Sequence, residues 1–416
     1  MDTINRSVPE HVPDALVYDY DFYAAPRPFE FPHWDVAKML QSEASPIFFT
    51  PHNGGHWVVT KASDTIEMFR RPDLFSSESE YNPSRKGYPV RHLPAYYDPP
   101  EHAEARKIMA PMFAPGAIAQ MESDIRRLAR DLVDSVYERG TCDFVHEIAE
   151  VFPVTIFLRL AKGRVEDRER MYEMACRFLR AEDPELANSG SRELAHFLTG
   201  MVDERRRHPG DDLVSRIVNG VLSGRRLTHE EALGAVVFVF LAGLDTVVAM
   251  ISFVMHFLAR NPAHYRRLVQ NPADIAGAVE ELMRISGVTH PERGVKRDIE
   301  FRGIGFKKYD RIIFLTQVAG LNDPEIKDPF TVDFERDVSP HIAFGAGPHR
   351  CLGSHLARVD IRTFLEEWVT RIPEFRMQEG RAVKILGGRV WQPESLPLAW
   401  DVRQLARIER VGSSAS

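Results

Sequence analysis

The sequence contains little cysteine: Cys142, Cys176 and Cys351 are the three in a chain of 416 residues. An odd and sparse set of cysteines does not build a disulfide scaffold. The same scarcity is typical of proteins that remain in a reducing compartment. We therefore expect a cytoplasmic protein whose fold depends on its hydrophobic core.

A surplus of positive charge is also lacking, because the formal net charge is −7. This balance argues against general nucleic-acid binding, which needs a basic face for the phosphates. Residues 1–19 include Asp2, Glu10 and Asp14 and contain no apolar run. We therefore expect neither a signal peptide nor a membrane anchor in this segment.

Long apolar runs are nearly absent too, and the one candidate spans residues 232–258. Its length alone suggests a transmembrane helix, but Asp245 lies at its centre, and a central Asp is costly in lipid. Thr228 and Glu231 form a capping box before the run, and residues 261–262 (Asn-Pro) end it. We expect a buried helix of about 31 residues, roughly 47 Å long, and no association with a membrane.

Helical spacing predominates in the rest of the chain. Apolar residues recur on one helix face between positions 125 and 136, and Gly140 then acts as a stop. No Gly/Ser-rich or charged linker divides the chain, which favours one domain over residues 1–416. Within it, residues 1–30 are expected to form an extended arm and residues 412–416 a frayed tail.

Strand signals are few. Residues 47–50 and 56–59 flank Asn53-Gly54-Gly55, which is typical of a hairpin. Residues 299–301 and 312–315 flank two glycines and predict a second sheet. The fold class predicted from these patterns is mainly α with a small β region.

The strongest chemical signal is the segment FGAGPHRCLG at residues 344–353, here named the cysteine loop. An amphipathic helix follows it, so Cys351 is expected at a helix N-terminus, where the helix dipole and free N–H groups lower a thiol pKa. A thiolate is a soft metal ligand. Gly345, Gly347 and Gly353 remove side chains where a flat, bulky group would approach the backbone.

Three alternatives to a metal ligand remain open from these residues alone. Cys351 fits a buried structural cysteine in a turn. It also fits a cysteine nucleophile, although no local His/Asn arrangement supports that role. The third alternative is a dinucleotide-binding loop, but Gly345-x-Gly347 is a fragment of that motif without the remaining glycine spacing or a βαβ unit.

The cysteine loop resembles the haem-binding loop of the cytochrome P450 family, with Phe344, Gly347, Cys351 and Gly353 at the family's key positions. The likeness covers nearly the full chain and is nearest to the soluble bacterial camphor-hydroxylase-like branch. It implies a triangular helical prism, haem b (iron protoporphyrin IX) as cofactor and monooxygenase chemistry with O2. Cys351 would be the axial thiolate of the haem iron, which favours O–O cleavage, and Phe344 would pack against the loop.

The centre of the long apolar helix breaks local rules. Gly243 costs about 1 kcal/mol relative to Ala in a helix, Thr246 can bond back to a carbonyl one turn earlier, and a buried Asp245 must be paired or shift its pKa. Alone, these features fit a packing notch as well as a functional site. By resemblance, Asp245 and Thr246 are a catalytic acid–alcohol pair: Thr246 hydrogen-bonds at the oxygen site, and Asp245 relays protons from solvent.

Two supporting sets also follow from the resemblance. Glu281 and Arg284 at i,i+3, joined by Arg336, would form a buried structural triad, although an exposed pair of this kind contributes little. The haem propionates need donors, and four cofactor-binding candidates match the family's contacts: His102, Arg106, Arg293 and His349.

The resemblance also places a substrate pocket, whose candidates are Val90, Phe238, Leu241, Ala242, Leu244, Thr289 and Val390. These residues predict a small apolar substrate. Val90 replaces the tyrosine that binds camphor's ketone in that branch, which argues against camphor itself and leaves a terpenoid as the expected substrate. Arg389 and His290 lie nearby in the sequence, and they fit either contact with a polar end of the substrate or exposure to solvent.

Electrons must come from a partner, because the chain has no flavin fingerprint. The expected partner is a [2Fe-2S] ferredoxin with an NADH-dependent ferredoxin reductase. The protein itself is expected to be a monomer. Four basic residues near the cysteine loop fit either a surface that binds an acidic ferredoxin or ordinary exposed positions. They are Lys107, Arg350, Arg358 and Arg362. A peroxide-driven haem enzyme and a non-enzymatic haem-dependent small-molecule binder are the alternatives, and the acid–alcohol pair argues against both.

Overall fold

In the computed structural model, the described residues are 8–22, 24, 31–78, 80, 91–180, 184–323, 325–337 and 341–402. The α-helices among them are α1 (Pro32–Glu43), α2 (Ala62–Phe69), α3 (Glu101–Met109), α4 (Pro115–Tyr137), α5 (Val151–Leu160), α6 (Arg168–Arg180), α7 (Pro184–Arg207), α8 (Leu213–Val218), α9 (His229–Arg260), α10 (Pro262–Gln270), α11 (Ile275–Ile285), α12 (Thr316–Ala319) and α13 (Ser354–Arg371). The predicted Val90 and the tail 412–416 lie outside the described residues.

The strands are short. They are β1 (Ile47–Thr50), β2 (His56–Val59), β3 (Phe75–Ser76), β4 (Thr141–Asp143), β5 (Val221–Leu222), β6 (Arg225–Arg226), β7 (Glu292–Val295), β8 (Ile299–Phe301), β9 (Ile304–Phe306), β10 (Arg311–Phe314), β11 (Arg376–Met377), β12 (Ile385–Leu386), β13 (Gln392–Pro393) and β14 (Pro397–Ala399). The largest sheet has the order β1-β2-β10-β7-β3. The prediction of a mainly helical chain with a small β region is confirmed.

Helix α9 confirms the prediction for the apolar run. It is 32 residues long, and its capping box is formed: Glu231 N donates to Thr228 Oγ1 at 3.1 Å and Thr228 N to Glu231 Oε2 at 2.8 Å. Among the described residues α9 is the helix long and apolar enough to cross a membrane, with a mean hydropathy of 2.3, and 61% of its most apolar window is buried inside the protein. Most of α9 therefore serves as a core helix.

The two strand predictions differ in outcome. The first hairpin is confirmed, with Ile47 opposite Val59 and Asn53 and the two following glycines at positive φ. The second prediction was wrong in its pairing: β8 pairs with β9, and β10 lies in the large sheet between β2 and β7. The reason is a two-residue turn at residues 302–303 with φ of 53° and 76°, the backbone that closes a tight hairpin.

The described part of the N-terminal arm is packed against the protein. Val17 bridges Phe49 of β1, and Tyr18 N donates to Phe49 O at 2.9 Å. Tyr20 and Phe22 are buried in the main core. That core contains residues from Tyr20 to Trp400, so nearly the whole length of the chain contributes to it.

Candidate active site

The cysteine loop turns tightly before α13. Gly345 and Gly347 have φ of 67° and 66°, a left-handed backbone that favours glycine. A Cβ on Gly347 would lie 2.4 Å from the carbonyl oxygen of Phe69 at the end of α2. Cys351 N donates to Phe344 O at 2.8 Å. The loop backbone is thus fixed by its own turn and by close contact with α2.

The Cys351 thiol does not have the lowered pKa that its position predicts. Burial raises the pKa of Cys351, and the smaller, opposing effects come from the Gly353 N–H and from Arg106, Arg350 and Arg358. Cys351 nevertheless has exposed surface, and both observations hold if the thiol borders an enclosed cleft. The stabilising groups that the sequence predicts are therefore present, but desolvation outweighs them. A bound metal ion would make the thiolate the stable form.

The propionate candidates share one neighbourhood. The rings of His102 and His349 lie 3.8 Å apart. Burial and the charges of Arg106 and Arg293 lower the pKa of His102 to about 4, and Arg106 also acts on Cys351. Both ring nitrogens of His102 are buried without a hydrogen-bond partner in the structure. A buried, partnerless histidine between two arginines is a site that an anion would stabilise.

Helix α9 presents small residues in its middle. Ala242 and Gly243 are exposed although buried residues precede and follow them along α9, and nothing lies within 4 Å of the position of a Cβ on Gly243. Thr246 Oγ1 donates to Ala242 O at 2.8 Å, as the sequence predicts. Asp245 beside it is half-buried. This stretch, Ala242 to Thr246, is the small-residue face of α9, and it borders open space.

The pocket candidates are only partly brought together. On α9, Phe238 is half-buried and Leu241 is buried. Leu244 is 1% exposed and lies about 200° around the helix from Ala242 at 100° per residue. Leu244 is therefore part of the buried core on another side of α9 from Ala242, and its place in the pocket stays a prediction.

Thr289 and Val390 face each other across an isolated antiparallel bridge, and both are half-buried. Neighbouring side chains along a strand point to opposite faces, so His290 and Arg389 are directed away from the side that Thr289 and Val390 share. Gln317 Nε2 donates to His290 Nε2 at 2.8 Å, and Arg389 lies 3.5 Å from Glu292. These two residues thus have partners on the other face.

The predicted triad is formed. Arg284 Nε and Nη2 donate to Glu281 at 2.7 and 2.8 Å, with both side chains 0% exposed. Arg336 Nε donates to Glu281 Oε1 at 3.2 Å. Arg284 Nη1 also donates to Gly320 O at 2.6 Å. One carboxylate therefore ties α11 to the chain segment that leads into the cysteine loop.

The four predicted basic residues separate into two kinds. Lys107 and Arg350 are exposed, whereas Arg358 pairs with Glu280 of α11 and Arg362 lies 2.9 Å from Glu122 of α4. Sequence reasoning could not find these pairings, because the partners are far apart in the chain. It also missed the exposed Arg70, whose Cα is 3.3 Å from the position of a Cβ on Gly347.

The residues present fit haem b. Cys351 supplies one soft ligand, and the described residues contain no group of three or more His, Cys, Asp or Glu side chains able to hold a metal. The anion site around His102 suits the haem carboxylates, and Ala242 and Gly243 on α9 carry no bulky side chain beside open space.

Comparisons with known proteins agree with this geometry. The family model for cytochrome P450 matches residues 143–386. The chain is 34% identical to the probable cytochrome P450 127A1 of Sinorhizobium fredii, over 94% of this chain and 97% of that protein. It is 27% identical to the steroid C26-monooxygenase of Mycolicibacterium smegmatis, over 86% and 88%. The crystal structure of CYP101J2 superposes with a TM-score of 0.86 at 32% identity, covering 95% of this chain and 99% of that one.

Proposed function

The chain belongs to the cytochrome P450 family and is a haem b-dependent monooxygenase, and on that premise we propose that it hydroxylates a small apolar terpenoid with electrons from a ferredoxin. When bound, haem supplies the oxidising chemistry that inserts one atom of O2 into a C–H bond. The observation that carries the site assignment is the ring contact, at 3.8 Å, of the partnerless His102 with His349, two residues before Cys351.

Cys351 is proposed as the axial ligand. His102, Arg106, Arg293 and His349 would bind the two carboxylates, which are the only charges on the periphery of haem b. Charge-assisted hydrogen bonds from arginine to a carboxylate are strong and directional. Phe344, Gly347 and Gly353 act through the backbone by shaping the turn that presents the sulfur.

Asp245 and Thr246 are proposed as the proton-handling pair. The Thr246 hydroxyl already donates its proton to Ala242 O, so its free capacity is that of an acceptor. Thr246 would accept a hydrogen bond from a water molecule in the cleft and so fix that water's position. Asp245, half-buried one residue earlier, would exchange protons between such water and solvent.

An apolar substrate is supported by the side chains of the pocket candidates that the structure describes. They carry apolar groups and one hydroxyl, and they are Phe238, Leu241, Ala242, Leu244, Thr289 and Val390. That hydroxyl lies 3.4 Å from Thr316 Oγ1, so part of its hydrogen-bonding capacity is used inside the protein. The steroid named for one relative is likewise a largely apolar molecule.

An acidic ferredoxin of the [2Fe-2S] type, reduced by an NADH-dependent reductase, is the proposed electron donor. Arg350 and Arg70 supply exposed positive charge at the cysteine loop, and Lys107 is exposed on α3. Complementary charge accelerates encounter in a salt-dependent way. We further propose that the protein acts as a cytoplasmic monomer. A reduction rate by ferredoxin that is insensitive to ionic strength would contradict this docking surface.

The test begins with the haem-loaded protein reduced under carbon monoxide. A red-shifted Soret band is expected for the wild type and for the control Cys176→Ser, and its loss is expected in Cys351→Ser because an alcohol is a poor replacement for thiolate. An unchanged band in Cys351→Ser would contradict the assignment. A screen of terpenoids for the low-spin to high-spin shift, followed by turnover with ferredoxin, reductase and NADH, then tests substrate and donor together.

A further inference from the structure

Helix α11 carries two successive carboxylates with different partners. Glu281 belongs to the buried triad, whereas Glu280 faces α13. Arg358 donates to Glu280 through Nε and, at 2.8 Å, through Nη2. His341 Nε2 donates to the same carboxylate at 3.1 Å. Glu280 therefore joins α11, α13 and the residue that precedes the Ile342–Phe344 turn.

Arg358 and His341 both contact Phe344. The Arg358 guanidinium lies 4.6 Å from the centroid of the Phe344 ring, and the His341 ring lies 5.6 Å from it. The carbonyl of Phe344 accepts the N–H of Cys351 at 2.8 Å. The Glu280 cluster, defined as Glu280, His341, Phe344 and Arg358, thus reaches the backbone of the sulfur-bearing residue.

The cluster also sets the charge near the sulfur. Arg358 is one of the three arginines whose charge favours the Cys351 thiolate. Burial opposes ionisation of Glu280, but hydrogen bonds from His341 and Arg358 outweigh it and bring the pKa of Glu280 to about 2. The carboxylate is therefore charged at any working pH, and it offsets the charge of Arg358.

We propose that Glu280 is a positioning residue that controls how strongly the sulfur ligand donates electrons, by fixing Arg358 and His341 on Phe344 and by offsetting the Arg358 charge. The proposal rests on Cys351 being the haem ligand. Reduction of the iron adds one negative charge to the site, so a net positive charge nearby favours the reduced form. Glu280 therefore keeps the reduction potential lower than Arg358 alone would set it.

The decisive measurement is the reduction potential of haem-loaded variants in a spectroelectrochemical titration. Glu280→Gln keeps the side-chain shape and removes the negative charge, so its potential is expected to shift in the positive direction. Arg358→Gln removes the positive charge, so its potential is expected to shift in the negative direction. The double variant Glu280→Gln/Arg358→Gln is expected to return close to the wild-type value.

Matched controls lie one turn farther along α13, where Arg362 pairs with Glu122 at 2.9 Å. Glu122→Gln and Arg362→Gln make the same changes of net charge, but solvent partly screens these charges. We therefore expect smaller shifts of the reduction potential in these two variants. Equal shifts in the two pairs, or shifts of one sign in Glu280→Gln and Arg358→Gln, would overturn the proposal.

Two further results separate the possible failures. If Glu280→Gln does not bind haem, the sign of the shift in Arg358→Gln decides the question by itself. A wild-type protein without the red-shifted carbon monoxide band would refute the Cys351 ligand, and the proposal with it. A normal band with unchanged potentials in Glu280→Gln and Arg358→Gln would refute the role of Glu280 alone.

Discussion

The cysteine loop and the small-residue face of α9 are built in opposite ways. The loop is fixed from several directions, by its own left-handed turns, by contact with Phe69 and by the Glu280 cluster. On α9 the hydroxyl of Thr246 bonds to its own helix, and Gly243 borders open space. The difference agrees with the roles proposed above, in which the loop would hold a ligand atom in one place and the space beside α9 would admit O2, water and substrate.

Removal of the buried carboxylate behind the loop is expected to have the largest effect. Glu281→Ala leaves Arg284 buried without its partner, which costs about 3–5 kcal/mol of stability, and we expect loss of haem binding. Chemical denaturation and haem content measure both effects. Glu122→Ala is the control, because its partly exposed pairs with Arg126 and Arg362 are worth roughly 0–1 kcal/mol. If Glu281→Ala bound haem and had normal stability, the triad would not be needed to hold the cysteine loop in place.

On the α9 side the expected effect is on chemistry and leaves stability nearly unchanged. Thr246→Ala should retain haem and the substrate-induced spectral shift but lose product formation relative to NADH consumed, on the order of 10²-fold, the scale of proton-transfer catalysis. Thr246→Ser keeps the hydroxyl and should retain most of the coupling. Peroxide and product assays run beside NADH consumption measure this. Full coupling in Thr246→Ala would show that the hydroxyl has no role.

Acid should also destabilise the protein through buried histidines at α9, by a smaller amount. Burial lowers the pKa of His33 to about 4. Burial and the charge of Arg260 lower the pKa of His256 to about 3. His256 belongs to α9, and the His33 ring contacts Phe253 of α9. The unfolded chain binds these protons below pH 6.5 and the folded chain does not until the pH reaches about 4 or 3, so the contribution of these histidines to stability is complete above pH 6.5 and is lost as the pH falls below it.

The loss should be roughly 1.4 kcal/mol per pH unit for each histidine, while Glu280, with a pKa of about 2, remains charged. Urea unfolding at several pH values measures the slope. His256→Gln should reduce it, and the exposed His208→Gln should not. An identical slope in all three proteins would mean that other groups cause the acid sensitivity.

Local patterns in the sequence predicted the parts of the fold that depend on neighbouring residues. The capping box of α9 and the first hairpin are local features, and both are present. The pairing of β10 was predicted wrongly because its partners, β2 and β7, lie elsewhere in the chain. Thr246 could be matched to its carbonyl because both belong to one helix.

The site was harder to predict where burial and distant partners decide the outcome. The pKa of Cys351 was expected to fall, but desolvation, a property of the folded protein, raises it. From the sequence, Arg358 and Arg362 resembled unpaired surface charges. In the structure Arg358 pairs with Glu280, 78 residues away, and Arg362 pairs with Glu122 on α4. The roles proposed for the catalytic and propionate residues remain predictions.

The contact between Gly347 and Phe69 has a consequence for electron delivery. Arg70 follows Phe69 directly and is exposed, and its Cα lies 3.3 Å from the position that a Cβ on Gly347 would occupy. A donor protein seated over Arg70 would be separated from the sulfur-bearing loop by little more than one layer of peptide. An electron from such a donor would then cross this one close approach and follow the loop backbone from Gly347 to Cys351.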